Sequence, residues 1–150
     1  MLIDVKTKVA RVIDGKTRKR TETFVVDKEL FAQAEYAVMN SLIEDQNNGT
    51  VEEFEIQALK ISAIKEIATQ FTGDFTFIAT LNDIFVDDKG NERIIKYKVL
   101  LWADSLTQAN TRTLQLVHQG YEMKIEGIKQ VDYEYLTEEP SVKQEENNNE

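Results

Sequence analysis

Apolar and polar residues alternate along "IDVKTKVARVI" (3–13) and "KRTETFVV" (19–26). Both stretches are rich in β-branched residues, and this period of two predicts strands with one buried face. Asp14-Gly15 between them predicts a tight hairpin, because glycine accepts positive φ without strain. The period then changes. In "KELFAQAEYAVMNSLIED" (28–45), Phe31, Ala34, Val38 and Leu42 fall on one face at helical spacing. Asp27 is the expected N-cap, and Asn47-Asn48-Gly49 is the expected stop. "FEIQALKISAIKEIA" (54–68) reads as one long strand whose alternation slips by one near Leu59, as at a bulge.

The second half repeats the order. "FTFIATLNDIFV" (75–86) and "RIIKYKVLLW" (93–102) predict strands around the turn "DDKGNE". A helix follows over 105–119. Ser105 and Gln108 have capping-box spacing, Gly120 closes the helix, and Leu106, Ala109, Thr113, Leu116 and Val117 line its inner face. "YEMKIEGIKQVDYEY" (121–135) predicts the last strand. Gly15, Arg18, Val26, Phe31 and Gln33-Ala34 match Gly90, Arg93, Leu101, Leu106 and Gln108-Ala109 at a constant offset of 75. "MKIEGIK" (123–129) matches "FEIQALK" (54–60) at an offset of 69, because the first half carries extra loop residues around "QNNGTV". The expectation is an α+β fold built by tandem duplication of a ββαβ unit, with mainly antiparallel sheet and two helices. The repeats are expected at 1–68 and 69–136, in one compact body, followed by a disordered acidic tail at 137–150.

The stretch "GKTRKRTETFVVDKELFAQAE" followed by "FEIQALK" resembles the first half of the domain-of-unknown-function family 4494. "FTFIATLNDIFVDDKGNERIIKYKVLLWADSLTQA" followed by "YEMKIEGIK" resembles the second half. The shared features are the strand patterning, Thr21-Glu22 before the second strand and Ala34-Glu35 early in the helix. The resemblance spans about residues 3–136. It implies the duplicated fold and an origin in gut Bacteroidota or their phages, crAss-like phages included. It carries over no catalytic residues.

Composition narrows the chemistry. The 150 residues are 41% hydrophobic and 30% charged, ordinary for one globular domain. With no cysteine there is neither a disulfide nor a thiolate metal site, which suits a reducing cytoplasm. The N-terminal stretch lacks a signal-peptide plan, and no apolar run is long enough to span a bilayer. A cytoplasmic location is therefore expected, in the host bacterium if the gene belongs to a phage.

The net charge of −9 is unevenly spread. The tail, with five Glu and one Lys, contributes −4 and leaves −5 on the body. Lys16, Arg18, Lys19 and Arg20 against Asp14 make the first hairpin tip +3.

No catalytic set emerges. His118 is the only histidine and has no nucleophile placed beside it by spacing. Asp83, Asp87, Asp88 and Glu92 surround the second turn, but Phe85 and Lys89 interrupt a calcium-loop pattern and the segment reads as a turn. No metal, cofactor or enzymatic activity is expected. The aromatics Phe75, Phe77, Tyr97, Tyr133 and Tyr135 alternate along strands. They invite comparison with single-strand nucleic-acid binders, in which bases stack on sheet aromatics and cations track phosphate. Alternation equally fits core-facing rings. On that reading Phe75, Phe77 and Tyr97 point inward, while Lys96 and Lys98 share an outer face with Leu100. The leading expectation is a non-enzymatic, phage-encoded accessory that binds single-stranded DNA or RNA through Lys16, Arg18, Lys19, Arg20, Lys96 and Lys98. The alternative is a protein–protein interaction module: a homo-oligomeric virion or assembly component, or an inhibitor of a host defence protein. Acidic surfaces suit basic protein partners.

Overall fold

A computed structural model describes residues 1–117 and 123–137. His118, Gly120 and all but the first residue of the expected tail lie outside the described residues. The chain divides into two compact units. The first comprises residues 1–62 together with a short strand from the C-terminal region, and the second comprises residues 63–132.

In the first unit, β1 (Leu2–Ile13) and β2 (Lys16–Asp27) form an antiparallel hairpin, followed by α1 (Phe31–Asn47) and β3 (Val51–Ile61). Asp14 and Gly15 both have positive φ, 52° and 76°, which a two-residue hairpin turn of this hand requires. The β1–β2 ladder runs past Asp27, since the Lys28 N–H donates to the Met1 carbonyl at 3.0 Å. The chain is therefore still extended at Asp27, and this residue is not the N-cap. Leu30 occupies that position, and its N–H donates to the Gln33 side chain at 3.2 Å. Gly49, with φ of 80°, stands just after the helix as expected.

The helix face is partly as predicted. Ala34, Val38 and Leu42 are fully buried with Ile3, Val5, Val9, Phe24 and Val26. Phe31 is instead exposed, because it lies in the first turn.

The second unit contains β4 (Ile64–Ile67), β5 (Phe75–Val86), β6 (Glu92–Ala103), α2 (Leu106–Leu116) and β7 (Lys124–Val131). Ser105 caps α2 through its hydroxyl, which accepts from the Gln108 N–H at 3.1 Å. The Gln108 side chain accepts in turn from the Asp104 N–H at 2.7 Å. Ala109, Thr113 and Leu116 face inward, Val117 is half-buried, and Leu106 is exposed at the position that matches Phe31. The core gathers Phe77, Leu81, Val99 and Leu101 beneath the helix.

The expected strand at 54–68 is two strands in two different sheets. β3 pairs antiparallel with β1, whereas β4 pairs parallel with β6. The expected last strand is divided likewise: β7 pairs with β5, and β8 (Tyr133–Leu136) pairs parallel with β2. The sheet orders are β3-β1-β2-β8 and β7-β5-β6-β4. Each fourth strand thus belongs to the chain segment that follows the other repeat's third strand. The compact units differ from the expected repeat boundaries by these two short strands.

The duplication extends to irregularities. Lys6 pairs with Ala58 and Thr7 with Ile56, so Gln57 is the extra residue of a bulge. Thr80 pairs with Gly127 and Leu81 with Ile125, so Glu126 is extra at the aligned position. Among the described residues no helix is long and apolar enough to cross a membrane.

Both cores depend on a single helix stripe. Val38→Asp and Leu116→Asp each place an unpaired carboxylate in a site with 2% exposure or less. Each is expected to cost at least about 3 kcal/mol. Thermal melts should drop sharply or lose their cooperative transition, and melts like those of the wild type would refute the helix phasing.

Candidate interaction surfaces on the two hairpins

The first hairpin end is basic. Lys16, Arg18 and Arg20 follow the strand parity that leads inward to Phe24 and Val26, while Lys19 lies on the opposite face. All four are exposed. Neighbouring carboxylates temper this charge. Lys19 approaches Glu53 at 3.7 Å, and Arg20 approaches Glu22 at 3.8 Å. The Thr17 hydroxyl donates to Glu52 at 2.7 Å. Lys16 and Arg18 make no ion pair among the described residues. A hollow of about 210 Å³ on the outer face is lined by Lys8, Lys19, Glu53 and Glu55 among others, and is balanced in charge.

Beneath this end lies a residue the sequence reading passed over. The Arg11 guanidinium donates twice to Glu22, at 2.7 and 2.9 Å, and once to Asp45 in the last turns of α1, at 3.1 Å. The paired hydrogen bonds to Glu22 hold Arg11 more firmly protonated than usual. The Thr7 hydroxyl donates to the Glu22 carbonyl at 2.9 Å, which anchors the same strand. Glu134 of β8 belongs to this neighbourhood. Burial pushes its carboxyl up, Arg11 pulls it down, and Glu22 and Asp45 push it up again. Its side chain keeps surface open to solvent, so screening limits what that shift is worth in stability. The signal in the sequence was parity: Arg11 continues the inward-facing series Val5, Thr7, Val9.

The second hairpin end is apolar. Ile84 pairs with Ile94, Asp83 with Ile95, Phe85 with Arg93 and Val86 with Glu92. Val86 is 67% exposed, Ile94 58% and Ile95 53%, and Ile84 and Phe85 are also exposed. Ile84, Val86 and Ile94 share one face, and Phe85 and Ile95 share the other. The turn is tied by Asp87, whose carboxylate accepts from the Asn91 and Lys89 N–H groups at 2.9 and 3.0 Å and from Arg93 at 3.0 Å. The Asn91 N–H first, and then Arg93, hold its carboxyl below the ordinary range.

The other expected site residues are scattered. Lys96 is exposed and pairs with Glu126 at 3.2 Å. Lys98 is half-buried and stands opposite Ile64 of β4. Leu100 does not share a solvent-facing surface with these lysines. It is fully buried, and its neighbour Ile78 is 5% exposed, because this end of the sheet is apolar on both faces.

Phe77 is buried, and Tyr97 packs against the second core while its hydroxyl donates to Glu66 at 3.2 Å. Burial and Glu66 push the Tyr97 phenol up. Phe75, expected inside, is 46% exposed because it is the first residue of its strand. Tyr133 and Tyr135 are half-buried in β8. The rings therefore do not line up into an exposed stacking surface.

Arg11→Met keeps the aliphatic stem and removes the charge, which leaves Glu22, only 11% exposed, without its two short hydrogen bonds and with Arg20 at 3.8 Å as its remaining cation. The expected cost is about 2–4 kcal/mol. A melting temperature lower by roughly 4–16 °C should follow. Adding Glu22→Gln should restore part of the loss, because the stranded charge is then gone. Equal losses in the single and double variants would show that the ion pair is not the cause.

No curated protein and no solved structure matches the chain significantly. A family model described as a domain of unknown function (DUF4494) matches residues 3–140, which is most of the chain, and the protein belongs to that family.

Proposed function

We propose that this protein is a non-enzymatic binding protein that works through protein–protein contact, with the β5–β6 hairpin end as its contact surface. One observation carries the reading. Five large apolar side chains, Ile84, Phe85, Val86, Ile94 and Ile95, stand exposed on both faces of a two-stranded projection. Isolated exposed apolar residues are normal, but a contiguous group of this kind marks a surface that a partner covers. A virion or assembly component, or an inhibitor of a host protein, would use such a surface in the cytoplasm of a bacterial host.

A photo-crosslinking amino acid at Val86 tests this in the cells that naturally express the protein. Illumination should yield a covalent adduct with a polypeptide. The same probe at the exposed Gln115 of α2 should yield none. Absence of an adduct from position 86 would remove the reading.

A second reading has its own support. Lys16, Arg18, Lys19 and Arg20 are the densest exposed cations of the hairpins, and they suit a phosphate backbone. Because the strand aromatics do not line up into an exposed stacking surface, this would be a contact to phosphate rather than to bases. Fluorescence anisotropy with a labelled single strand should show affinity falling with salt, by a log–log slope of roughly 0.7 per phosphate contact. Replacing Arg18, Lys19 and Arg20 with Ala should flatten that slope by up to about 2. No anisotropy change at low salt would end the nucleic-acid reading and leave the first in place.

A further inference from the structure

The geometry points to a second copy of this chain as the partner of the β5–β6 hairpin, joined edge to edge along β6 in antiparallel register about Ile94. This inference rests on the reading of that hairpin as a contact surface, and it names the occupant.

Backbone direction sets which groups are available. The Leu100 carbonyl accepts from the Ala68 N–H at 2.8 Å, so Leu100 faces the edge on which β4 lies. Backbone N–H and C=O groups alternate sides along a strand. Lys98, Lys96, Ile94 and Glu92 therefore face that same edge, and the odd-numbered residues face β5. The Asp87 N–H donating to the Asn91 carbonyl across the hairpin at 2.9 Å agrees with this parity. β4 pairs with β6 only from Lys98 onward. Along 92–96 no strand of the described residues pairs with this edge. A free strand edge is a template for another strand.

That slot matches itself. It begins just after the turn and ends where β4 begins, and Ile94 is its midpoint. Two copies related by a two-fold axis at Ile94 place Ile94 against Ile94, and Glu92 of each against Lys96 of the other. All three edge-facing residues then sit in hydrogen-bonded pairs, which gives about six backbone hydrogen bonds across the contact. The charges complement one another twice, and opposite charges on facing residues favour a register. Lys96 would lie between Glu126 of its own chain and Glu92 of the other copy. Sliding the axis by one residue leaves edge-facing groups unpaired. Sliding it by two sets Glu92 against Glu92 or Lys96 against Lys96. On the opposite face, Arg93 lies across from Ile95, so the guanidinium stem covers an exposed apolar side chain.

The first hairpin offers no equivalent. β1 is paired with β3 as far as Arg11, and the neighbouring Val12 N–H donates to the Thr50 carbonyl at 3.0 Å. The positions on β2 that match Glu92 and Lys96 carry Thr17 and Thr21 at the offset of 75. Self-pairing at the corresponding register would therefore lack the two ion pairs.

Sedimentation velocity on the full chain tests the proposal, at roughly 100 μM because a contact this small is weak. The wild type should show a species of twice the 17.3 kDa chain mass. Ile94→Pro removes the central edge-facing N–H while leaving the β5–β6 ladder its donors, so it should be monomeric with an unchanged melt. Glu92→Lys alone and Lys96→Glu alone set like charges opposite each other, and each should weaken association by roughly tenfold or more. An equimolar mixture of these two variants should recover association as a mixed pair, since both ion pairs re-form, one as in the wild type and one with its signs exchanged. A monomeric wild type, or single variants that associate like the wild type, overturns the inference. If the wild type is monomeric and the probe at Val86 crosslinks to a different polypeptide, the hairpin reading survives and only the self-partner is lost. If the probe yields no adduct, the hairpin reading itself fails.

Discussion

The strands of this protein are longer than the helices that cover them. β1, β2, β5 and β6 each have 12 residues, about 40 Å of extended chain. α1 has 17 residues and α2 has 11, about 25 and 16 Å. A helix stripe can bury only the part of the sheet that it overlies, so each hairpin must project beyond its core. The basic surface and the exposed apolar surface both sit on these two overhangs. Their free ends contribute little to either core, which leaves their side chains open to diverge.

Diverge they have, from the same plan. Counted from the aligned bulges, Arg11 of the first repeat corresponds to Phe85 of the second. In the first repeat that position clamps the hairpin to the end of the helix through Glu22 and Asp45. In the second, an aromatic ring stands partly in water. The turn-proximal residues follow suit: Lys16, Arg18, Lys19 and Arg20 on one hairpin, Ile94 and Ile95 on the other. A cationic end attracts anions over a Debye length and is weakened by salt. An apolar end acts only on contact and is largely indifferent to salt. The two repeats thus carry two surfaces with different physical ranges.

The fourth strand of each sheet has a separate consequence. β8 reaches β2 only after the chain has passed through the second repeat, and β4 pairs with β6 although it directly follows β3. Neither sheet is completed by its own repeat. Both added pairings are parallel and short, so the antiparallel ladders of each repeat supply most of the order. The first sheet is therefore complete only when β8 arrives from beyond the second repeat, whereas all four strands of the second sheet lie within residues 64–131. Loop closure of this kind is entropically mild, because its cost grows only with the logarithm of length.

The sequence by itself determined the repeated ββαβ order, the two hairpin turns, the inward stripes Ala34-Val38-Leu42 and Ala109-Thr113-Leu116, and the slip of alternation in β3. Each is a local matter of period, turn chemistry or capping, and local signals lie in neighbouring residues. Tertiary structure alone decided where 54–68 breaks. "KISAIKEI" keeps strand character through Ser62-Ala63 with no glycine or proline to mark a boundary, and which sheet a strand joins depends on partners far along the chain. Burial at the overhangs was likewise beyond local reading. Phe31 and Leu106 have the right spacing for the core but stand in the first helical turn, clear of the sheet they would have to cover. Arg11 has the right parity for the core and is half-buried, because Glu22 and Asp45 come from other elements to meet it. The same period that puts a side chain on the inner face cannot say how far the covering helix extends.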